Sequence, residues 1–319
     1  MQHDRKENRL VDAYGRIIHK LRVQLTDACN FRCFYCMPQN VKFMPSSDLL
    51  SSGELVSICA ALVELGINEI RVSGGEPTIR KDFNEIIEGL SSLPILKLGV
   101  TTNGFFLVEK LDFLQKTRCR HINISLDSLQ KERFRAITHT NYFESVYDAI
   151  IKAQEMGFHV KVNMVVLRGI NDDEIPDFVR FFERYKTEVR FLEYMKIGPS
   201  YKSHDRLFVP AKDIITRIEK ETKLTPVSVN SDSTSFNFKT QSGGHIGFIA
   251  SESQSFCRFC SRWRLTATGK LRACLMSEAG VNLRGVPKSQ YPELLKSVLE
   301  MKPIDRIDHI EQPMYQIGG

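Results

Sequence analysis

The sequence predicts an α/β fold: a partial TIM-like barrel of six βα units with a smaller C-terminal domain appended. Three observations predict it. Strand-like runs alternate with helix-length segments over the first two-thirds of the chain, each run ends in a polar, glycine-rich or cysteine-bearing loop, and the alternation stops near Gly198. The 319 residues suit about two domains, or one large barrel with an appendage, at roughly 150 residues per domain.

The strand-like runs are LRVQLT (21–26), EIRVSG (69–74), LKLGVTT (96–102), HINISLD (121–127), HVKVNMVV (159–166) and VRFLEYM (189–195). Helical patterns fill 51–65, 81–93, 107–116, 143–156 and 173–185 between and after them. The first of these spaces Leu55, Ile58, Cys59, Leu62 and Leu65 three and four apart, the signature of one buried face. Strands alternating with helices of this length require right-handed crossovers and a parallel sheet. If that sheet curves strongly it becomes a partial barrel, whose chemistry collects at the carboxyl ends of the strands because every βα loop opens there. Those ends read TDACNFRCFYC, GGEP, TTNG, SLD, the region of Asn163, and EYMKIG. Beyond them, short strand-like pieces at 227–230 (VSVN), 245–250, 263–268 and 270–274 mix with helical patterns at 211–221 and 291–299. The expected division is a barrel over 1–198 and a second domain over 199–319, packed across the barrel mouth.

A hydrophobic share of 42% and a charged share of 26% exclude a disordered, collagenous or coiled-coil chain. No apolar run approaches the roughly 18 residues of a membrane span, and the first twenty residues lack a signal-peptide core. The expectation is a soluble, cytoplasmic protein with no membrane partner. The net charge of +6 favours anionic ligands without implying nucleic acid, and none is expected. Its distribution is more telling: residues 253–277 hold Arg258, Arg262, Arg264, Lys270 and Arg272 and no carboxylate.

Six of the eight cysteines fall into two trios. Without a secretory signal they are expected as reduced thiols, so close spacing points to metal binding or redox chemistry. Cys29, Cys33 and Cys36 give Cys-x3-Cys-x2-Cys in the loop leaving the first strand. That pattern suits an iron–sulfur cluster with one iron left open to a small chelator such as an α-amino acid. A zinc site with a distant fourth ligand and a Cys-x2-Cys redox pair remain alternatives. Cys257, Cys260 and Cys274 give Cys-x2-Cys-x13-Cys, which a zinc ribbon also fits, although His245, the nearest histidine, lies outside the usual spacing. Cys59 and Cys119 stand apart and read as structural.

CNFRCFYC resembles the signature of the radical S-adenosylmethionine (radical SAM) superfamily, and GGEP at 74–77 resembles its second-strand loop. In that reading the cluster on Cys29, Cys33 and Cys36 binds the methionyl end of S-adenosylmethionine. Gly74 and Gly75 let backbone approach it, and Glu76 faces its cationic amine. The resemblance further implies Tyr35 beside the adenine and Thr102, Ser125 and Met195 along the cofactor. CRFCSRWRLTATGKLRAC (257–274), FLEYM and the terminal Ile317-Gly318-Gly319 extend the likeness to the GTP 3′,8-cyclase (MoaA) family of molybdenum cofactor biosynthesis, over about 21–319.

That likeness implies a second [4Fe–4S] cluster on Cys257, Cys260 and Cys274, with GTP held by Arg22, Arg71, Lys161, Arg190, Arg262 and Arg264. Multiple cations suit a triphosphate, and Arg offers it planar bidentate donors. Glu69 departs from the Lys often found at its position in the family and puts one phosphate contact in doubt. The implied reaction is removal of the GTP 3′ hydrogen by a 5′-deoxyadenosyl radical and ring closure to 3′,8-cyclo-7,8-dihydro-GTP, with Gly318 and Gly319 entering the catalytic site. The implied partners are a low-potential electron donor such as flavodoxin or ferredoxin and, downstream, cyclic pyranopterin monophosphate synthase; a homodimer is left open. Two other readings are a radical SAM peptide-modifying enzyme with an auxiliary cluster, and a zinc-ribbon nucleic-acid-binding protein.

Overall fold

The computed structural model describes residues 9–38 and 40–318. Six strands, β1 (Lys20–Gln24), β2 (Glu69–Ser73), β3 (Lys97–Thr102), β4 (Cys119–Ser125), β5 (His159–Val165) and β6 (Glu188–Leu192), pair in chain order, all parallel. The crossovers carry α1 (Ser52–Glu64), α2 (Phe83–Ser91), α3 (Leu107–Gln115), α4 (Lys131–Thr138), α5 (Phe143–Glu155) and α6 (Ile175–Arg184). Of these, α4 is the helix the sequence pattern does not disclose.

The first helix shows why the segments adopt these forms. Ser51 and Glu54 close a capping box that satisfies donors at the helix start. Leu55, Ile58, Cys59, Ala61 and Leu62 then bury one face against the sheet, each larger aliphatic contributing about 1.5–3 kcal/mol by leaving water. The stretch Ser46–Glu64 is apolar enough by composition to cross a membrane. It is broken at Leu49 and Leu50, however, and the 13 residues of α1 fall well short of the ~20 a span needs.

The strands alternate faces. In β1, Leu21 and Val23 are buried in the core while Lys20 and Arg22 line an inner cavity. The same alternation sets Glu69 and Arg71 on β2, Lys161 and Asn163 on β5 and Arg190 and Leu192 on β6 towards that cavity. One cavity of about 460 Å³ is therefore lined from all six strands, which only a strongly curved sheet permits. Arg71 and Arg190 tell the same story: four strands apart, they would be about 19 Å apart in a flat sheet, yet the charge of Arg190 acts on Arg71. The lumen carries charged side chains, unlike the apolar filling of a closed TIM barrel.

The C-terminal portion contributes α7 (His204–Leu207), α8 (Ala211–Glu219), β7 (Thr225–Val227), β8 (Phe236–Lys239), β9 (His245–Ile249), β10 (Arg262–Leu265), β11 (Lys270–Arg272), β12 (Gly280–Asn282), α9 (Tyr291–Glu300) and α10 (Met314–Ile317). Its strands extend the barrel sheet itself at both edges. β9 pairs parallel to β6 and continues through β8 and β7, whereas β10 pairs parallel to β1 and continues through β11 and β12. Edge strands present unpaired backbone groups, and here both open edges of the six-stranded arc are covered by the chain's own later strands. VSVN was placed too late: the strand is Thr225–Val227, and Val229 is exposed.

Candidate active site

The loop after β1 brings the first trio to the cavity wall, where Cys29, Cys33 and Cys36 all line it half-buried. The amide of Phe31 donates to Cys29 Sγ (3.4 Å), and Asn103 Nδ2 reaches the same sulfur at 3.7 Å while donating to Asn30 Oδ1. Burial pushes the thiol of Cys29 up to about 11 and that of Cys36 to about 12, and Cys33 is raised by burial and then by Asp127, Cys36 and Cys29. Three thiols crowded away from water with raised pKa values want a cationic partner, because metal binding is what deprotonates such ligands. Among the described residues no three His, Cys, Asp or Glu side chains converge as ligands of one ion would. A cubane puts each thiolate on a different iron and does not require that convergence.

Gly74 and Gly75 follow β2 and also line the cavity, but the close approach that demands them is internal. A Cβ on Gly75 would sit 2.4 Å from the carbonyl oxygens of both Asp27 and Ala28, and one on Gly74 2.7 Å from that of Thr26. The amides of Gly75 and Glu76 donate to Thr26 and Ala28 (2.7 and 2.8 Å), so the glycines knit the second-strand loop onto the cysteine loop. Glu76 is turned inward rather than towards the cavity. Its carboxylate, fully buried, accepts from Thr78 Oγ1 (2.6 Å), Thr102 Oγ1 (2.7 Å) and the amides of Thr78 and Asn103 (3.1 and 2.6 Å). It positions Thr102 and Asn103, and the faces of Gly74 and Gly75 are what the loop shows to the cavity. Tyr35 donates to Asp127 Oδ2 (2.6 Å), whose other oxygen accepts from the Val165 amide (2.9 Å); burial raises Asp127 to about 6. Thr102, Ser125 and Met195 line the same cavity.

Below this, Arg22, Arg71, Lys161, Arg190, Arg262 and Arg264 all line the cavity, joined by Lys20 and Lys97. Among the described residues the only carboxylates on the wall are Glu69 and Asp127. Arg22 stands in register with Arg71 on one side and Arg264 on the other. Burial and then the charges of Arg264, Arg71 and Arg262 lower Arg22, and burial lowers Arg71 and Arg264 to about 10. Gly99, facing β2, makes room for this layer: a Cβ there would stand 3.2 Å from Arg71 Cζ. Glu188 is shared, at 2.6 Å each, by Lys161 and Arg190. Shared in this way it neutralises Lys161 only in part, and burial with Arg190 holds that lysine down at about 8.

The second trio lies behind Phe256, Arg262 and Leu275, which line the cavity where its cysteines do not. Burial would raise Cys260, but Arg262 and Lys302 outweigh it and hold the thiol at about 6. Lys302, buried, donates to Cys260 Sγ (3.4 Å) and to the carbonyls of Arg262 (2.7 Å) and Ala273 (2.9 Å). Arg16 ties the cysteine loop to the segment after α9 through Cys257 O (2.8 Å) and Pro303 O (2.9 Å) and is held by Asp12 (2.6 Å). A thiolate stabilised by two cations is a ready metal ligand.

Comparison with known proteins bears on this arrangement. The family profile described as Radical SAM superfamily matches residues 23–182, and that described as Molybdenum Cofactor Synthesis C matches 187–308. A GTP 3′,8-cyclase of Synechocystis sp. is 43% identical over 97% of this chain and 95% of its own length. That of Listeria monocytogenes is 38% identical over 92% and 91%, and that of Aquifex aeolicus 35% over 97% and 100%. The chain belongs to the GTP 3′,8-cyclase family of radical SAM enzymes. Among solved structures, Streptococcus suis SuiB bound to S-adenosylmethionine superposes with a TM-score of 0.63 at 12% identity, over 90% of this chain and 69% of that one. SuiB bound to its precursor peptide SuiA gives 0.62 over 91% and 67%. At 12% identity this is a likeness of fold alone, and it gives the peptide-modifying reading no further support. The match of 187–308 to the molybdenum cofactor profile likewise displaces the zinc-ribbon reading.

S-adenosylmethionine and an iron–sulfur cluster are the cofactors of this superfamily, and the first trio's donor set fits such a cluster. The structure describes the C-terminal tail up to Gly318; Gly319 lies outside the described residues. Gly318, at φ 74°, offers its carbonyl to Arg264 Nη1 (2.6 Å) and Ser73 Oγ (3.3 Å). Gln24 Nε2 donates to Tyr315 O (3.0 Å), and the Tyr315 amide reaches Cys36. Sequence reasoning missed Asn103, Asp127, Lys97, Lys302 and Arg16. TTNG and SLD flag the first two as strand-end loops, whereas no local signal marks the other three.

Proposed function

We propose that the chain converts GTP to 3′,8-cyclo-7,8-dihydro-GTP, an early step of molybdenum cofactor biosynthesis, using two [4Fe–4S] clusters held by Cys29, Cys33 and Cys36 and by Cys257, Cys260 and Cys274. The observation that carries this reading is a single lumen with the first trio at one end and Arg22, Arg71, Lys161, Arg190, Arg262 and Arg264 at the other. When bound, the first cluster and S-adenosylmethionine supply the electron and the adenosyl carbon that takes the ribose 3′ hydrogen. The residues of the chain supply orientation. Arg and Lys side chains fix the triphosphate, Gly74 and Gly75 leave backbone free for the methionyl group, and Tyr35, pinned by Asp127, flanks the adenine with Thr102, Ser125 and Met195 alongside. Gly318 closes the space against Arg264. Holding both reactants in one walled volume supplies proximity and keeps out water and competing hydrogen donors.

In this reading 1–198 form the cofactor unit and 199–319 the nucleotide-capping unit, joined by the β1–β10 and β6–β9 pairs. The enzyme works in the cytoplasm, takes electrons from a flavodoxin- or ferredoxin-like donor and passes product to cyclic pyranopterin monophosphate synthase; a homodimer is compatible with it. The test is anaerobic purification with metal analysis and product assay. About eight irons per chain, and loss of cyclisation on replacing any trio cysteine by Ala, are expected. Stoichiometric zinc without iron overturns the reading.

A further inference from the structure

The cations of the lumen are not equivalent. Lys161 and Arg190 share Glu188 (2.6 Å each), and Lys20 is held by Asp232 (2.7 Å) with Glu69 at 4.0 Å. Lys97 is different. It is half-buried at the start of β3 and lines the cavity, yet among the described residues its ammonium donates no hydrogen bond and closes no ion pair. Its surroundings are strongly cationic: Arg71, Arg190 and Lys20 all act on it, and Glu69 opposes them. A half-buried ammonium among like charges is costly unless an anion reaches it.

Register says where that anion would lie. Lys20, Glu69 and Lys97 are aligned across β1, β2 and β3, one layer beyond Arg22, Arg71 and Gly99. A phosphate chain gripped by Arg22 and Arg71 and continuing in the same direction meets this layer next. Glu69, at its centre, repels it. We propose that Lys97 binds the terminal phosphate of GTP, supplying from the third strand the cation that Glu69 does not supply from the second. This rests on the reading that the triphosphate occupies the basic end of the lumen.

The experiment compares anaerobic, cluster-loaded wild type, Lys97→Ala, Lys97→Arg and Arg71→Ala by equilibrium binding of GTP, GMP and S-adenosylmethionine. Loss of one charge-assisted contact weakens binding on the order of tenfold to a hundredfold. Lys97→Ala is expected to lose that factor for GTP, to keep GMP and S-adenosylmethionine affinity, and to be rescued by Lys97→Arg. If Arg71→Ala weakens GTP but Lys97→Ala does not, Lys97 is no phosphate ligand while the basic end still holds the nucleotide. Equal weakening of GTP and GMP in Lys97→Ala also overturns the proposal, because a terminal-phosphate contact is absent from GMP. If neither substitution affects GTP, the placement of the triphosphate falls and Lys97 with it.

Discussion

If Lys161 binds the triphosphate, as proposed, its titration should make the affinity for GTP depend on pH. Burial and Arg190 bring it from its ordinary 10.5 to about 8, because Glu188 is divided between the two cations. In the free protein Lys161 is then about nine-tenths charged at pH 7 and about one-tenth charged at pH 9. If the triphosphate binds only the charged form, affinity falls about tenfold between those pH values. Apoprotein stability moves the other way. The folded pKa lies below the unfolded one, so between about 8 and 10.5 the unfolded chain holds more protons and this group's contribution to stability rises with pH. Opposite signs separate a binding effect from loss of fold. The assay is the GTP dissociation constant from pH 7 to 9 in wild type and Lys161→Arg, whose guanidinium stays charged throughout, so that ionisation of the nucleotide's own groups is common to both curves. The variant should lose the alkaline fall. A flat wild-type curve, or an equal fall in the variant, refutes the argument for Lys161.

Three further outcomes are expected. Gly75→Ala drives a Cβ into two backbone carbonyls 2.4 Å away and should abolish iron binding at the first trio, whereas Gly53→Ala, which meets nothing within 4 Å, should leave iron content and melting temperature at or slightly above wild type. Lys302→Met leaves the carbonyls of Arg262 and Ala273 short of a buried donor, at about 1–3 kcal/mol each, and removes a cation from Cys260. Its melting temperature should drop, and iron should leave the second trio first on exposure to chelator; unchanged values show that the lysine is dispensable. Removing residues 318 and 319 should preserve S-adenosylmethionine cleavage but suppress cyclised nucleotide, measured side by side, and product at the wild-type rate would make the tail irrelevant.

What the sequence disclosed follows from the range of the forces involved. The six parallel strands are found within one to three residues of their expected places because each alternates side chains at a period of two, with Leu21 and Val23 outward of Arg22 an example. By contrast, α4 offers only Phe134 and Ile137 among charges, and β12 has three residues, too few for any period to register. The continuation of the sheet into β10 joins Lys20 to Arg262 across most of the chain, and no local pattern encodes such a pairing. At the site, cysteines and glycines were legible because few other residues can do their work. Glu76 was legible as important, but its internal partners were not: no local pattern brings Thr102 and Asn103 of the next strand end to its carboxylate. Lys302 was invisible, since a lysine before a proline carries no pattern until folding brings Cys260 to it.

The register of β2, β1 and β10 sets Arg71, Arg22 and Arg264 side by side. Like charges directly opposite one another destabilise a sheet, and burial makes this row costlier still. Guanidinium groups do not escape by losing protons, so the row is paid for by acceptors, and the carbonyl of Gly318 on Arg264 is one of them. A triphosphate would supply many more. Ligand binding and sheet closure are therefore linked: the β1–β10 seam that carries both halves of the lumen is under repulsion without an anion and is relieved by one. By mass action the relief appears as stability that grows with ligand concentration, so GTP should protect the β1 and β10 amides from hydrogen exchange more than it protects those of β4, which carries no cation facing the cavity.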